Sequence, residues 1–366
     1  MNLQELVAIS NEYGRDERYV LAGGGNTSLK DESFLYIKAS GTTLATITED
    51  GFVKMSRRGL AAIWEKEYPA DNAAREQAVL ADLMAARIPA DSTMRPSVET
   101  SLHDLLPGKF VVHLHPALVN GLTCSQGASQ KAEELFGKKA LWIDHSKPGY
   151  VLAKLVKEKL AAYEAENGGY PQFLLLRNHG IFVSADTTDG IRAVYAEVME
   201  KLESVLLEKP DFSPVTYDAA RAEAVQKDLA SLGYESVKPT AGVTIAKLIE
   251  SRAAFAPVAS AFTPDHIVYC KAKPLFVEKN EDVKTAVEAF TKENGYRPLL
   301  IACEGLCVFA CNENDKKAAV TQSLFCDSVK IATYAKSFGG YSHMPQDLID
   351  FIANWEVESY RASVSK

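Results

Sequence analysis

The stretch KFVVHLHPALVNGLTC, residues 109–124, sets two histidines, His113 and His115, in an apolar run of strand character. Side chains at i and i+2 of a strand share a face, so the two imidazoles address one place. Neutral imidazole is the commonest metal ligand, and a catalytic zinc takes three protein ligands while leaving a position for water or substrate. A third ligand is therefore needed. Taken alone, the pair reads more simply as two half-buried histidines with ordinary hydrogen bonds, and its surroundings must decide.

Working outward, a second apolar run, PQFLLLRNHGIFVSAD at 171–186, is interrupted by Asn178-His179-Gly180. At such a break a histidine can leave the core and point into a cleft, which makes His179 the third ligand. Glu99, in RPSVETSLH at 95–103, precedes the strand bearing the histidine pair and is a candidate acid/base beside the metal. The same segment also reads as a helix start capped by Ser97 or Thr100. Three further segments, GGGNTS at 23–28, ASGTT at 39–43 and RPS at 95–97, could gather around an anion. Backbone N–H groups of glycine-rich turns and short hydroxyl or amide side chains suit phosphate oxygens, although turn chemistry alone would explain each segment. Neither a Walker A loop nor a GxGxxG fingerprint is present, so nucleotide binding is not supported.

The 366 residues, 47% hydrophobic and 24% charged, suit one large or two medium soluble domains. A formal net charge of -8 argues against a nucleic-acid partner but leaves room for a local cationic pocket. The six cysteines lack any CxxC spacing and read as free thiols in a reducing compartment. No apolar run approaches a membrane span, and the expectation is a cytoplasmic protein without a membrane partner.

Periodicity predicts helices in the opening segment, at 57–66, 73–87, 102–106 and 189–207, with strands at FLYIKAS, KFVVHLHP and the two halves of PQFLLLRNHGIFVSAD. The prolines of PDFSPVT, at 210–216, mark a boundary between residues 1–210 and a smaller α/β region at 211–366. There the pattern predicts helices near 217–232, 245–255, 281–292 and 315–337, and strands at HIVYC, PLFVE and RPLLIACEGLCVFA. Asp265, His266, Lys271 and Lys273 read as a solvated loop and strand edge. FLYIKASGTT resembles HIVYCKAKPL, and LLLRNHGIFVSADTTDGIRAV resembles LLIACEGLCVFACNENDKKAA, at offsets of 233 and 125 residues. A second, degenerate copy would then lack about 108 residues, including the HLH region, and would carry Glu304 where the first carries His179. Chance similarity between apolar strands explains the same likeness.

In chain order, GNTS, ASGT, SVE, HLHP and NHG resemble the class II aldolase/adducin family over roughly residues 1–207. The resemblance implies a three-layer α/β/α domain with a mainly antiparallel central sheet and one Zn2+ per subunit held by His113, His115 and His179. It also implies Glu99 as acid/base, and Gly25, Asn26, Ser40, Gly41 and Ser97 as the phosphate group's contacts. Val98 departs from the family's serine pair and removes one hydroxyl. Farther along, PSVETSLHDLLP, WIDHSKPGYVLA, PDHIVYCKAKPLFV and DLIDFIANWEVESY resemble the rhamnulose-1-phosphate aldolase part of bacterial aldolase/dehydrogenase fusions. The expectation is that the aldolase part stands here without the dehydrogenase. The likeness implies reversible cleavage of a ketose 1-phosphate to dihydroxyacetone phosphate and L-lactaldehyde by a homo-oligomer, often a tetramer. Other members suggest an epimerase, dehydratase or decarboxylase of a small sugar derivative, or a non-catalytic adducin-like binding protein.

Overall fold

The computed structural model describes residues 2–355, so the end of DLIDFIANWEVESY beyond Trp355 lies outside the described residues. Two units are distinguished. The first takes the chain up to Val119, Ser129–Ser204 and Asn354 with Trp355; the second takes Asn120–Ala128 and Val205–Ala353. No helix among the described residues is long and apolar enough to cross a membrane.

In chain order the first half supplies α1 (Gln4–Gly14), β1 (Asn26–Lys30), β2 (Phe34–Lys38), β3 (Phe52–Ser56), α2 (Arg57–Ile63), α3 (Asn72–Ala85), α4 (Thr100–Leu105) and β4 (Phe110–Leu114). There follow α5 (Ala117–Thr123), α6 (Ala128–Phe136), β5 (Ala140–Ile143), α7 (Tyr150–Asn167), β6 (Phe173–Leu176), β7 (Gly180–Ala185) and α8 (Thr188–Ser204). The seven strands form one sheet in the order β3-β2-β1-β4-β7-β6-β5, antiparallel throughout except for the β5–β6 pair. Helices α1 and α8 pack on one face and α2, α4 and α7 on the other, giving three layers. Local chemistry sets the helix ends: Ser56 and Asp71 cap α2 and α3 by accepting main-chain N–H bonds, and Gly168 closes α7 in the left-handed conformation. Leu102, Val111, Leu174, Leu176, Phe182 and Val156 fill the core between the sheet and the α4/α7 layer.

Strand β1 is buried along its whole length although it reads NTSLK. Its alternate residues Asn26, Ser28 and Lys30 share the face that carries His113 and Val111 on the neighbouring strand. A strand with one wholly polar face can be buried only where that face is hydrogen-bonded. Helix α4 supplies the partners: Lys30 Nζ reaches the main-chain carbonyls of His103 at 2.5 Å and of Leu106, closing the carbonyl end of the helix. Burial pulls the Lys30 ammonium down to about 7.

The second unit contains α9 (Ala219–Ser231), β8 (Ser236–Thr240), α10 (Val243–Leu248), α11 (Arg252–Phe255), α12 (Pro264–Cys270), β9 (Leu275–Val277), α13 (Val283–Asn294), β10 (Leu300–Cys303), β11 (Cys307–Asn312), α14 (Asp315–Ala335) and α15 (Gln346–Ala353). HIVYC is helical, against the expectation of a strand. Extended Thr263 at the N-cap, Pro264 in the first turn and Asp265 beside the helix N-terminus override three β-favouring residues. Asp265 and His266 are therefore buried rather than solvated; His266 bonds Thr263 Oγ1 at 2.8 Å and lies 3.5 Å from Asp327, whereas Lys271 and Lys273 are exposed. Five cysteines are buried and Cys326 is partly so, all as free thiols. Burial pushes Cys303 and Cys307 up to about 12, which makes them poor nucleophiles.

FLYIKASGTT, a strand, and HIVYCKAKPL, a helix, do not correspond in structure. A different correspondence is visible. The sheet order β8-β11-β10-β9, with only β9–β10 parallel, matches β4-β7-β6-β5 in order and in the sense of each pairing. The pairs Leu176↔Gly180 and Cys303↔Cys307 close equivalent three-residue turns, 127 residues apart rather than 125. The expected loss of the HLH strand is corrected accordingly, since β8 stands in its place. In that register Pro239, facing Phe309, takes the position of His113, facing Phe182, and Leu306 rather than Glu304 takes that of His179. None of these replacements can ligate a metal.

Candidate metal centre and active site

Three imidazoles meet at the end of the large sheet. His113 sits within β4, His115 follows it, and His179 occupies the β6–β7 turn, all with ligand nitrogens inside 4.8 Å of one another. His115 Nε2 is 2.9 Å and His179 Nε2 3.3 Å from His113 Nε2. Nδ1 of His113 donates to the carbonyl of Ile181 at 3.0 Å, so its Nε2 carries a lone pair. Three imidazoles whose ligand nitrogens lie this close together form a donor set for a divalent metal with an open position. The ring of His113 is fully buried and stacks on Phe182 at 3.8 Å, which fixes its plane.

The turn that delivers His179 depends on Asn178, whose φ of 54° lies in the left-handed region that asparagine tolerates. His145 Nε2 donates to the Asn178 side-chain carbonyl at 2.7 Å and holds that turn in place. Gly180 follows because a Cβ there would lie 2.5 Å from the Leu114 carbonyl.

Glu99 precedes α4 at the N-cap position, yet its side chain makes no capping bond. RPSVETSLH does start a helix, but neither Ser97 nor Thr100 caps it: the Ser97 hydroxyl accepts from the Glu99 N–H at 3.2 Å in the turn before α4, and the Glu99 carboxylate is left available. Glu99 Oε1 lies 3.5 Å from the Nε2 atoms of both His113 and His179, and Oε2 accepts from Asn26 Nδ2 at 2.6 Å. Glu99 is 7% exposed, so a carboxylate stands at the edge of the triad nearly shielded from water.

The three anion-suited segments are joined to one another through RPS. Asn26 Nδ2 also reaches Ser97 Oγ at 3.3 Å, and Ser40 N–H donates to the Arg95 carbonyl at 2.8 Å, joining the ASGTT turn to RPS. Gly41 takes a φ of 88° and Gly25 one of 65°. Val98 lines a small cavity with Val79, Leu80 and Leu83, so the residue that replaces a hydroxyl belongs to an apolar contact. Sequence reading passed over His103, Ser28, Lys30 and His145. His103 is fully buried, and burial, then His113 and Lys30, hold its imidazole well below the ordinary histidine range.

Gly25 shows how closely the glycine cluster approaches the metal strand: a Cβ would lie 2.7 Å from the His113 carbonyl oxygen, in a conformation unfavourable to side chains. Gly25→Ala is expected to destabilise the fold by more than about 1 kcal/mol in urea unfolding and to weaken metal binding. Gly169→Ala, where nothing lies within 4 Å, is the control expected to do neither.

A family model for the class II aldolase and adducin N-terminal domain matches residues 4–206. The chain is 22% identical over 414 aligned residues to the "Uncharacterized oxidoreductase YuxG" of Bacillus subtilis (strain 168), an alignment covering 99% of this chain and 58% of that protein. This chain thus spans less than two thirds of that relative's length. Among solved structures, it is 28% identical to the N-terminal class II aldolase domain of a conserved Thermoplasma acidophilum protein, over 56% of this chain and 93% of that one, with a TM-score of 0.47. For the L-fuculose-1-phosphate aldolase of Thermus thermophilus the values are 16% identity, 55% and 94% coverage, and a TM-score of 0.35.

Proposed function

Because the chain belongs to the class II aldolase and adducin family, we propose that it is a zinc-dependent lyase that reversibly cleaves a ketose 1-phosphate, of the rhamnulose 1-phosphate type, to dihydroxyacetone phosphate and L-lactaldehyde. The observation that carries this reading is the Glu99 carboxylate at 3.5 Å from two nitrogens of a complete three-histidine donor set. Three imidazoles with their ligand nitrogens within 4.8 Å of one another are a donor set of the kind that a catalytic zinc takes.

His113, His115 and His179 would hold the ion. Zinc bound there supplies a Lewis acid for the negative charge that develops on the ketose oxygens as the carbon–carbon bond opens. Glu99 Oε1, facing the triad, would shuttle the proton: in cleavage it takes the hydroxyl proton lost as the carbon–carbon bond opens and gives it to the dihydroxyacetone carbon, and in synthesis it removes a proton from that carbon and returns it to the new hydroxyl. Its other oxygen stays on Asn26, so the carboxylate does not have to reorient between steps. Of the five expected phosphate contacts, Gly25, Ser40, Gly41 and Ser97 form the cradle, whereas the Asn26 amide is taken up by Glu99, Ser97 and His103 and ties Ser97 to Glu99 instead. Phosphate held there sets the distance from the ketose to the carboxylate.

The test measures metal content and then release of dihydroxyacetone phosphate from rhamnulose 1-phosphate and fuculose 1-phosphate. One zinc per chain and cleavage of at least one substrate, lost on chelation and restored by zinc, is the expected result. Absence of cleavage from both by the zinc-loaded protein would refute the reading.

A further inference from the structure

We propose that His103 is a positioning residue: with Ser28 behind it and Asn26 in front, it forms a directional hydrogen-bond relay that decides which oxygen of Glu99 faces the metal centre. This rests on the aldolase reading for its kinetic consequence, though not for its geometry. The relay runs Ser28 Oγ to His103 Nδ1 at 2.7 Å, His103 Nε2 to Asn26 Oδ1, and Asn26 Nδ2 to Glu99 Oε2 at 2.6 Å. Ser28 is 0%, His103 0%, Asn26 7% and Glu99 7% exposed, so water cannot readily replace a missing member.

Direction follows from which atoms can donate. An ionised carboxylate only accepts, so Asn26 must present its NH2 to Glu99. Its carbonyl oxygen then faces His103 Nε2, which must carry the hydrogen. In a neutral ring Nδ1 is left with a lone pair, so the Ser28 hydroxyl donates to it. Reversing the amide would set its oxygen against the carboxylate, and that repulsion is what fixes the direction. One end of the relay is anchored on β1 and the other on α4, whose main chain Lys30 also binds. With Oε2 held by Asn26, Oε1 is the oxygen left at 3.5 Å from His113 and His179. Without the relay the Asn26 amide can rotate, and Glu99 loses its fixed orientation but none of its chemistry.

The relay is tested on the full, metal-loaded chain by labelling histidine with 15N and reading the His103 tautomer, alongside kinetics and metal content of variants. His103 in the native protein is expected as the Nε2–H tautomer, and Ser28→Ala is expected to admit the Nδ1–H form. His103→Leu should retain the metal and its KM while kcat falls about ten- to hundredfold. His103→Gln, whose amide N–H can reach Asn26 Oδ1, should recover most of that loss. An Nδ1–H tautomer in the native protein overturns the relay even if His103→Leu does not fold. So does native kcat in His103→Leu, or a His103→Gln variant as slow as the leucine one. A native protein with no retro-aldol activity refutes the aldolase reading instead, while the tautomer still decides the relay.

Discussion

His113→Ala is expected to lose stoichiometric metal and to lower retro-aldol kcat/KM by at least about a thousandfold, since a bound Lewis acid contributes several kcal/mol of transition-state stabilisation and each tenfold corresponds to about 1.4 kcal/mol. His113 is central to the set: its Nε2 is the atom that the other two histidines approach at 2.9 and 3.3 Å. Two imidazoles would remain, turned toward a position that no longer holds a cation. The loss has a second, activity-independent readout. A ligand that binds only the folded state stabilises it by about 2.7 kcal/mol at a hundredfold excess over Kd, so chelation should lower the melting temperature of the native protein. The variant should melt at one temperature with or without chelator. Retention of one metal per chain with full activity would mean that the triad is a structural cluster and that the metal lies elsewhere.

The contrast between what the sequence disclosed and what it concealed follows from how far each signal reaches. HLH and NHG were legible because a strand's period of two and a break between apolar runs are local properties, whereas the register that pairs His113 with Phe182 is non-local and is visible only in the fold. Glu99 was legible only in company, because alone it explains a helix start equally well. His103 and Ser28 were not legible as partners: 75 residues separate them, and only the register of β1 on β4 under α4 brings them together. Strand β8 was missed for another reason. SVKPT is mostly polar and contains Pro239, which a strand accepts at a sheet edge, where its missing N–H costs no ladder bond. HIVYC misled because β-branched content is a weak preference that a cap, a first-turn proline and burial together outweigh. The likeness between the two regions was therefore detected where its apolar strands agree and misaligned by two residues at the turn that matters.

Glu99→Gln separates the roles that geometry places within 3.5 Å of each other. Glutamine has the shape of glutamate and can still accept from Asn26 Nδ2 through its carbonyl oxygen, which fixes its NH2 on the side facing His113 and His179. That NH2 can neither take nor return a proton at carbon, so kcat is expected to fall by about a hundredfold to ten-thousandfold, the range in which a positioned acid/base contributes. KM should change little if phosphate is held as proposed at Ser40, Gly41 and Ser97, since those contacts would not involve the carboxylate's charge. Metal content should remain at one per chain, since three histidines suffice for a catalytic zinc. The pairing of outcomes is what decides: loss of turnover with metal retained assigns Glu99 to proton transfer, whereas loss of metal in parallel with turnover makes Glu99 a fourth ligand and moves the proton transfer to another group. Glu99→Ala discriminates further, because a small carboxylate such as formate can enter the space the side chain vacates beside Asn26. Partial recovery of kcat by added formate is expected only if the missing function is the carboxylate itself.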